Sequence, residues 1–84
     1  MSPTIHQESG YLFYFFSADV RDEPPHVHVG EGRQPGDDAK FWRQPARIAH
    51  TGRFNPRHLQ RMLRIVEERH EEFLNEWHAY RERL

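Results

Sequence analysis

The sequence contains no cysteine, and this absence excludes two kinds of small protein. Disulfide-stapled secreted domains and thiolate zinc sites both require cysteine. Without disulfides, a chain of 84 residues has to rely on a single hydrophobic core, to which its eleven aromatic residues contribute. We therefore expect one domain spanning residues 1–84, in a reducing compartment.

Long apolar runs are also missing. The longest covers residues 11–16, whereas a membrane-spanning helix needs about 20 residues. Residues 1–10 do not have the basic, apolar and small-residue regions of a secretory signal peptide. These two observations predict a cytoplasmic protein with no membrane association.

Lysine is scarce, and the basic charge is unevenly distributed. The chain has one lysine and eleven arginines, and its formal net charge is -1. Residues 1–42 hold three basic and seven acidic residues, a net charge of -4, and residues 65–84 hold three and six, a net charge of -3. Residues 43–64 hold six arginines and no acid, which gives +6. A block of this kind is suited to contact phosphates.

The first fifty residues have mainly β character. His26-Val27-His28-Val29 alternates with a period of two, which predicts a strand with both histidines on one face. We expect a hairpin formed by residues 4–7 and 11–17, a polar loop over residues 19–25 and a further strand over residues 38–43. Residues 46–50 are compatible with a short strand or a turn. The fold class predicted for the chain is α+β, with a small antiparallel sheet of three or four strands.

The hydrophobic period changes at Asn55, a favourable N-cap followed by Pro56 at the first helical position. Apolar residues then recur at steps of three and four, which predicts helical structure over residues 55–83, packed on one face of the sheet. A continuous helix over residues 56–83 would be about 42 Å long, whereas a compact chain of this size is roughly 30 Å across. Either the helix breaks in the polar stretch 67–72, or the apolar face of residues 73–84 is exposed and binds a partner, such as a second copy of the chain.

His26 and His28 are the first candidate functional residues. Two imidazoles on one face of a strand are close enough to act as general acid and general base on a phosphate, or to bind one divalent metal ion such as zinc. Zinc requires at least three ligands, and the remaining candidates, His50, His58, His78 or a carboxylate, are distant in the sequence. A purely structural role, in which both rings pack against a helix, is the third interpretation.

Basic side chains form the second candidate group. Arg57, Arg61 and Arg64 follow one another at steps of four and three, so they share a helix face. Guanidinium groups suit phosphates, which makes a row of them suited to a nucleic-acid backbone. The alternative is an ordinary solvated face, since no RNA-binding motif accompanies these charges. The candidate nucleic-acid or phosphate ligands are Lys40, Arg43, Arg47, Arg57, Arg61 and Arg64.

Three strings of residues carry a family resemblance: Pro24-Pro25-His26-Val27-His28-Val29, Ala39-Lys40-Phe41-Trp42 and Trp77-His78-Ala79-Tyr80. In this order and spacing they resemble the small bacterial family known as domain of unknown function 4160. The resemblance spans nearly the whole chain and implies no catalytic assignment. It does imply a genomic setting, because members are often encoded beside another small protein in an arrangement similar to a toxin–antitoxin pair.

Two hypotheses of function follow. In the first, the chain is a toxin–antitoxin component that binds or processes RNA, with His26 and His28 in acid–base or phosphate-binding roles and the arginines positioning the backbone. In the second, it is a non-catalytic interaction module that docks a cognate small protein, with a divalent metal ion held by His26 and His28. The sequence leaves open which is correct, and with it whether the protein is an enzyme.

Overall fold

The structure is a computed structural model that describes residues 4–31, 36–43 and 46–84. Within these residues, a five-stranded antiparallel sheet is followed by two consecutive helices, so the fold is α+β as predicted. The elements are β1 (Thr4–Glu8), β2 (Tyr11–Tyr14), α1 (Ser17–Asp22), β3 (His26–Glu31), β4 (Ala39–Arg43), β5 (Ala46–His50), α2 (Pro56–Glu68) and α3 (His70–Glu82).

The strands lie in the sheet in chain order, β1-β2-β3-β4-β5, and each is antiparallel to its neighbours. A two-residue turn joins β1 to β2, with positive φ angles of 54° at Ser9 and 82° at Gly10. Two consecutive positive φ angles define the tight hairpin turn whose twist matches the flanking strands. The predicted three or four strands are therefore corrected to five, since residues 46–50 form β5 and pair with β4.

One face of the sheet packs on α2 to form the main core. In β2 the buried residues alternate with less buried ones, as the period of two requires, whereas the central strand β3 is buried on both faces at His26 and Val27. On the helix, Leu59, Met62, Ile65 and Val66 are buried against this face of the sheet. Burying a side chain of this kind contributes about 1.5–3 kcal/mol. The buried strand residues of this core are Tyr11, Phe13, Val27, Val29, Ala39 and Phe41.

A second, smaller hydrophobic cluster packs α1 against the rest of the chain. The sequence suggested a polar loop over residues 19–25, but Ser17–Asp22 form a short helix. Its one buried residue, Val20, packs with Phe15 and Trp77. The helix has no side-chain N-cap. Its stability therefore depends on the packing of Val20 against Trp77 of α3.

The C-terminal helix breaks at Arg69, inside the polar stretch 67–72, so the first of the two alternatives is found. Arg69 has φ -100° and ψ 17°, and it separates α2 from α3. A straight helix of about 42 Å would exceed the longest dimension of the molecule, which is 34 Å. The break brings Phe73 and Trp77 into the two core clusters, each with 1% of its surface exposed. These two residues are therefore buried within the chain itself. The homo-oligomer through the face of residues 73–84 stays a prediction.

Across the described ranges, none of the helices combines the length and the apolar character needed to cross a lipid bilayer.

Candidate functional site

The two histidines of β3 lie on the face of the sheet that is opposite to α2. Val27 and Val29 point into the main core, so His26 and His28 point the other way. Their ring centroids are 5.0 Å apart. We call this side of the sheet the histidine face.

Asp19 of α1 brings a carboxylate between these two rings. Its Oδ2 atom lies 2.9 Å from Nε2 of His26 and 3.1 Å from Nε2 of His28. One ligand atom from each of the three residues lies within 4.8 Å of the other two. The result is a compact group of two imidazoles and one carboxylate, which we call the Asp19/His26/His28 cluster.

The hydrogen bonds of His26 determine which of its nitrogens carries a proton. Nδ1 lies 3.0 Å from the carbonyl oxygen of Pro24, which can only accept, so Nδ1–H is the donor. In the neutral imidazole, Nε2 then carries a lone pair, and this lone pair faces the Asp19 carboxylate at 2.9 Å. A lone pair and a carboxylate oxygen at this distance repel each other, so either a proton or a cation has to lie between the two atoms.

The electrostatics of the cluster favour an ionised aspartate and a neutral His28. Burial alone would raise the pKa of Asp19, but hydrogen bonds from His28 and His26 outweigh it, and the pKa is lowered. Burial lowers the pKa of His28, and the hydrogen bond to Asp19 offsets this only in part. A carboxylate and an unprotonated imidazole are the forms in which these residues bind metals.

The surroundings leave one side of the cluster accessible. The His26 side chain is 0% exposed, and its ring lies against Trp42 and Trp77. The side chains of Asp19 and His28 are 20% and 15% exposed. Water and small ligands therefore reach the cluster from the side of Asp19 and His28. His26 lies on the buried side of the cluster.

Aromatic rings frame this accessible side. Tyr14 stacks on His28, with ring centroids 5.4 Å apart and an interplanar angle of 20°. Phe16 meets His28 edge-on at 4.7 Å and is 42% exposed. These rings hold the His28 imidazole in place and shield it from competing solvent hydrogen bonds.

The sequence model of a family described as Domain of unknown function (DUF4160) matches residues 10–78. The chain belongs to this family. The match contains all three cluster residues and confirms the family resemblance seen in the sequence. The description of the DUF4160 family assigns no activity, so the function has to be inferred from the site. No curated protein and no solved structure matches the chain.

Two predicted basic residues lie on the histidine face of this DUF4160 chain. Lys40 is opposite His28 on the neighbouring strand, and its Nζ atom is 3.1 Å from Oε1 of Glu23. Arg47 is opposite Trp42 and lines a cavity beside it. Arg43 ends β4, and its side chain lies outside the part that the structure describes.

The predicted arginines of α2 lie elsewhere. Arg57, Arg61 and Arg64 are exposed on a helix that packs against the opposite face of the sheet. They therefore do not border the Asp19/His26/His28 cluster, contrary to the arrangement expected in the RNA-processing hypothesis. In a DUF4160 chain with this geometry, the histidines and the α2 arginines form two separate surfaces.

Asp19 is the cluster residue that the sequence did not indicate. It lies in a segment without strand alternation and too short for a helical period, seven residues before His26. A carboxylate close in sequence to a His-x-His strand can supply the third ligand that zinc needs, but Asp22 and Glu23 meet the same description, so this signal does not single out Asp19.

Proposed function

We propose that the protein binds a divalent transition-metal ion, zinc foremost, through Asp19, His26 and His28. The observation that carries the proposal is the 2.9 Å contact between Nε2 of His26 and the Asp19 carboxylate, since Nδ1–H of the same ring already donates to the carbonyl oxygen of Pro24. A metal ion between them replaces the repulsion of two acceptors with two coordinate bonds. The second hydrogen bond of His26, from Nδ1–H to a main-chain carbonyl, is typical of histidines that bind metals.

The spacing of the cluster suits the size of such an ion. Ligand atoms bound to a tetrahedral zinc ion at about 2.1 Å lie about 3.4 Å from one another. The Asp19 oxygen is 2.9 Å and 3.1 Å from the two histidine nitrogens, so these two distances need to increase by only a few tenths of an ångström, and all three ligand atoms lie within 4.8 Å of one another. Three protein ligands leave a further position, at which a bound ion polarises a water molecule or an anionic ligand.

The experiment is a measurement of metal content and affinity. Untagged protein is analysed by elemental mass spectrometry, and the metal-free protein is titrated with zinc by calorimetry and with cobalt by absorption spectroscopy. We expect one equivalent of metal per chain and a cobalt spectrum of low coordination number. The Asp19→Asn and His28→Ala variants should lose both.

The matched control is His50→Ala. His50 also pairs with an aspartate, Asp37, at 2.8 Å, but this pair is on the surface and lies outside the cluster. If wild-type protein binds no metal while folded, or if His50→Ala weakens binding as much as His28→Ala does, the proposal is wrong. Nitrogen-15 NMR of the histidines then shows whether a second proton on His26 fills the gap instead.

A second candidate function is RNA binding by α2, as expected for a toxin–antitoxin component. Arg57, Arg61 and Arg64 are exposed, and in the described ranges no acidic side chain lies within ion-pair distance of them. Because α2 lies on the opposite side of the sheet, this surface would act without the histidines. Replacing all three arginines by glutamine should reduce the salt dependence of RNA binding by about two units of log K per log salt. An unchanged slope, or binding of an acidic protein partner instead, argues against it.

A further inference from the structure

A small cavity lies on the histidine face, beside the Asp19/His26/His28 cluster but built from other side chains. Its walls are Pro24, Pro25, Trp42 and Arg47, and its volume is about 160 Å³. Trp42 connects the two sites, because its ring lies 5.6 Å from that of His26. The cavity is therefore a neighbour of the cluster and not a part of it.

The apolar walls of this cavity are flat. Two proline rings and an indole present planar or near-planar surfaces, which pack best against another planar ring. Trp42 is held in register between His26 on β3 and Arg47 on β5, so the indole is positioned before a ligand arrives. Stacking of a nucleobase on an aromatic side chain of this kind is favourable and tolerant of base identity.

The charge at the mouth of the cavity is positive. Arg47 is exposed, and no acidic partner contacts it within the described residues. Lys40 lies 4.8 Å from the centre of the Trp42 ring, but its charge is balanced by Glu23 at 3.1 Å. Among the described side chains around the cavity, Arg47 is thus the cation left to bind a ligand, and its planar guanidinium group matches the geometry of a phosphate.

The size of the cavity limits what enters it. Pockets that enclose a drug-sized ligand measure about 300–1,000 Å³, well above the 160 Å³ found here. One ring system fits, and the remainder of the ligand has to stay outside, where Arg47 lies. An apolar peptide side chain would make no ionic contact with Arg47, and a bare phosphate would make no apolar contact with the prolines and Trp42.

We infer that this cavity binds a nucleoside phosphate, with the base against Trp42 and the phosphate on Arg47. The same chemistry is offered by a free nucleotide and by a nucleotide of a single RNA strand. The inference does not depend on the metal site, because none of the three metal ligands contributes to the walls.

The test uses the fluorescence of Trp42. Adenosine monophosphate, a short oligoadenylate RNA and inorganic phosphate are each titrated into full-length protein in the presence of a chelator, up to about 1 mM ligand. Trp77 is 1% exposed, so quenching by a stacked base reports on Trp42. We expect saturable quenching by both nucleotide ligands and none by phosphate alone.

Variants identify the binding site by calorimetry. Trp42→Ala should weaken adenosine monophosphate binding about 5- to 150-fold, and Arg47→Gln at least about tenfold. Trp42→Phe keeps a stacking ring and should bind with little loss, which guards against a folding defect in Trp42→Ala. Arg81→Gln removes the same charge from an exposed position of α3 that does not line the cavity, and it should leave the affinity for the mononucleotide unchanged.

The result also separates the two sources of the ligand. If oligoadenylate binds much more tightly than the mononucleotide, the natural ligand is a single RNA strand; equal affinities indicate a free nucleotide. The inference is overturned if neither ligand quenches saturably, or if Arg81→Gln and Arg47→Gln weaken mononucleotide binding equally. In the latter case the attraction is only a general charge effect.

Discussion

The Tyr14 hydroxyl donates a hydrogen bond to the Oδ2 atom of Asp38, so that β2 is joined to the segment that leads into β4. The bond passes over β3 at Gly30, where a side chain would collide with it: a Cβ atom on Gly30 would lie 2.5 Å from Oδ2 of Asp38. The glycine thus makes room for a polar link between strands that are not neighbours. This link supports the part of the sheet on which Tyr14 stacks against His28.

The first prediction concerns pH. Burial, followed by the hydrogen bond to Asp38, raises the pKa of Tyr14 well above its ordinary value of 10.0. Since the folded state holds this proton more tightly than the unfolded state, the stabilisation is complete below pH 10 and is lost as the pH rises further. Urea unfolding measured from pH 8 to 11 should show this alkaline loss, and Tyr14→Phe should reduce it. Tyr80→Phe, which removes a hydroxyl bonded to Ser17, is the control and should retain it.

The same variant has an effect at neutral pH. Asp38 already has one buried oxygen, Oδ1, with no hydrogen-bond partner in the described part of the chain. Removing the Tyr14 hydroxyl takes away the partner of the other oxygen, so Tyr14→Phe should lower the free energy of unfolding by about 1–3 kcal/mol. An unchanged or higher free energy of unfolding would mean that a water molecule replaces the tyrosine hydroxyl as the hydrogen-bond partner of Asp38.

The second prediction concerns Gly30. Gly30→Ala forces the Asp38 carboxylate to move and should cost about 1–3 kcal/mol of unfolding free energy. In an Asp38→Ala background the obstacle is gone, and the same substitution should cost clearly less. A double-mutant cycle by urea denaturation measures the difference. Equal costs in both backgrounds would show that the strain comes from somewhere other than Asp38.

The third prediction concerns the start of α2. The Asn55 side chain accepts a hydrogen bond from the main-chain N–H of His58 at 2.9 Å. Asn55→Ala should therefore destabilise the protein by about 1 kcal/mol, whereas Asn55→Asp, which keeps the acceptor, should cost little. Thermal unfolding monitored by circular dichroism provides the measurement. Similar losses in the two variants would contradict a capping role.

The fourth prediction follows from the proposed metal site. A ligand at one hundred times its dissociation constant stabilises the folded state by about 2.7 kcal/mol. For a domain of this size, that corresponds to a rise in Tm of about 10–20 °C. Zinc should produce this rise in wild-type protein, EDTA should reverse it, and His28→Ala should abolish it. An equal rise in His28→Ala would place the metal elsewhere.

The sequence was sufficient to predict those elements whose structure depends on residues close together in the chain. The N-cap at Asn55, the helical position of Pro56 and the alternation of His26-Val27-His28-Val29 are all found as expected. The family, the α+β class and the location of the helix break were also predictable. Each of them depends on a pattern contained in a short window of sequence or on the total length of the chain.

The remaining features depend on contacts between distant parts of the chain. The α1 helix exists because Val20 is buried with Trp77, which lies in the last helix, and α1 in turn places Asp19 beside the histidines. No local pattern contains that information, so the third member of the cluster could not be assigned from sequence. For the same reason the sequence could not show that the α2 arginines and the histidines occupy opposite sides of the sheet. The toxin–antitoxin role stays a prediction.

The chain-order arrangement of the sheet has a consequence for how the molecule forms. Each strand finds its partner in the strand made just before it, so every pairing closes a short loop at low entropic cost. Proteins dominated by such local pairings fold quickly. The helices, by contrast, dock on residues far away in the chain: Trp77 packs onto Phe15 and Val20, and Phe73 packs onto Phe13. The position of the carboxylate beside the histidines therefore depends on a contact that closes a long loop, at a higher entropic cost than any of the strand pairings.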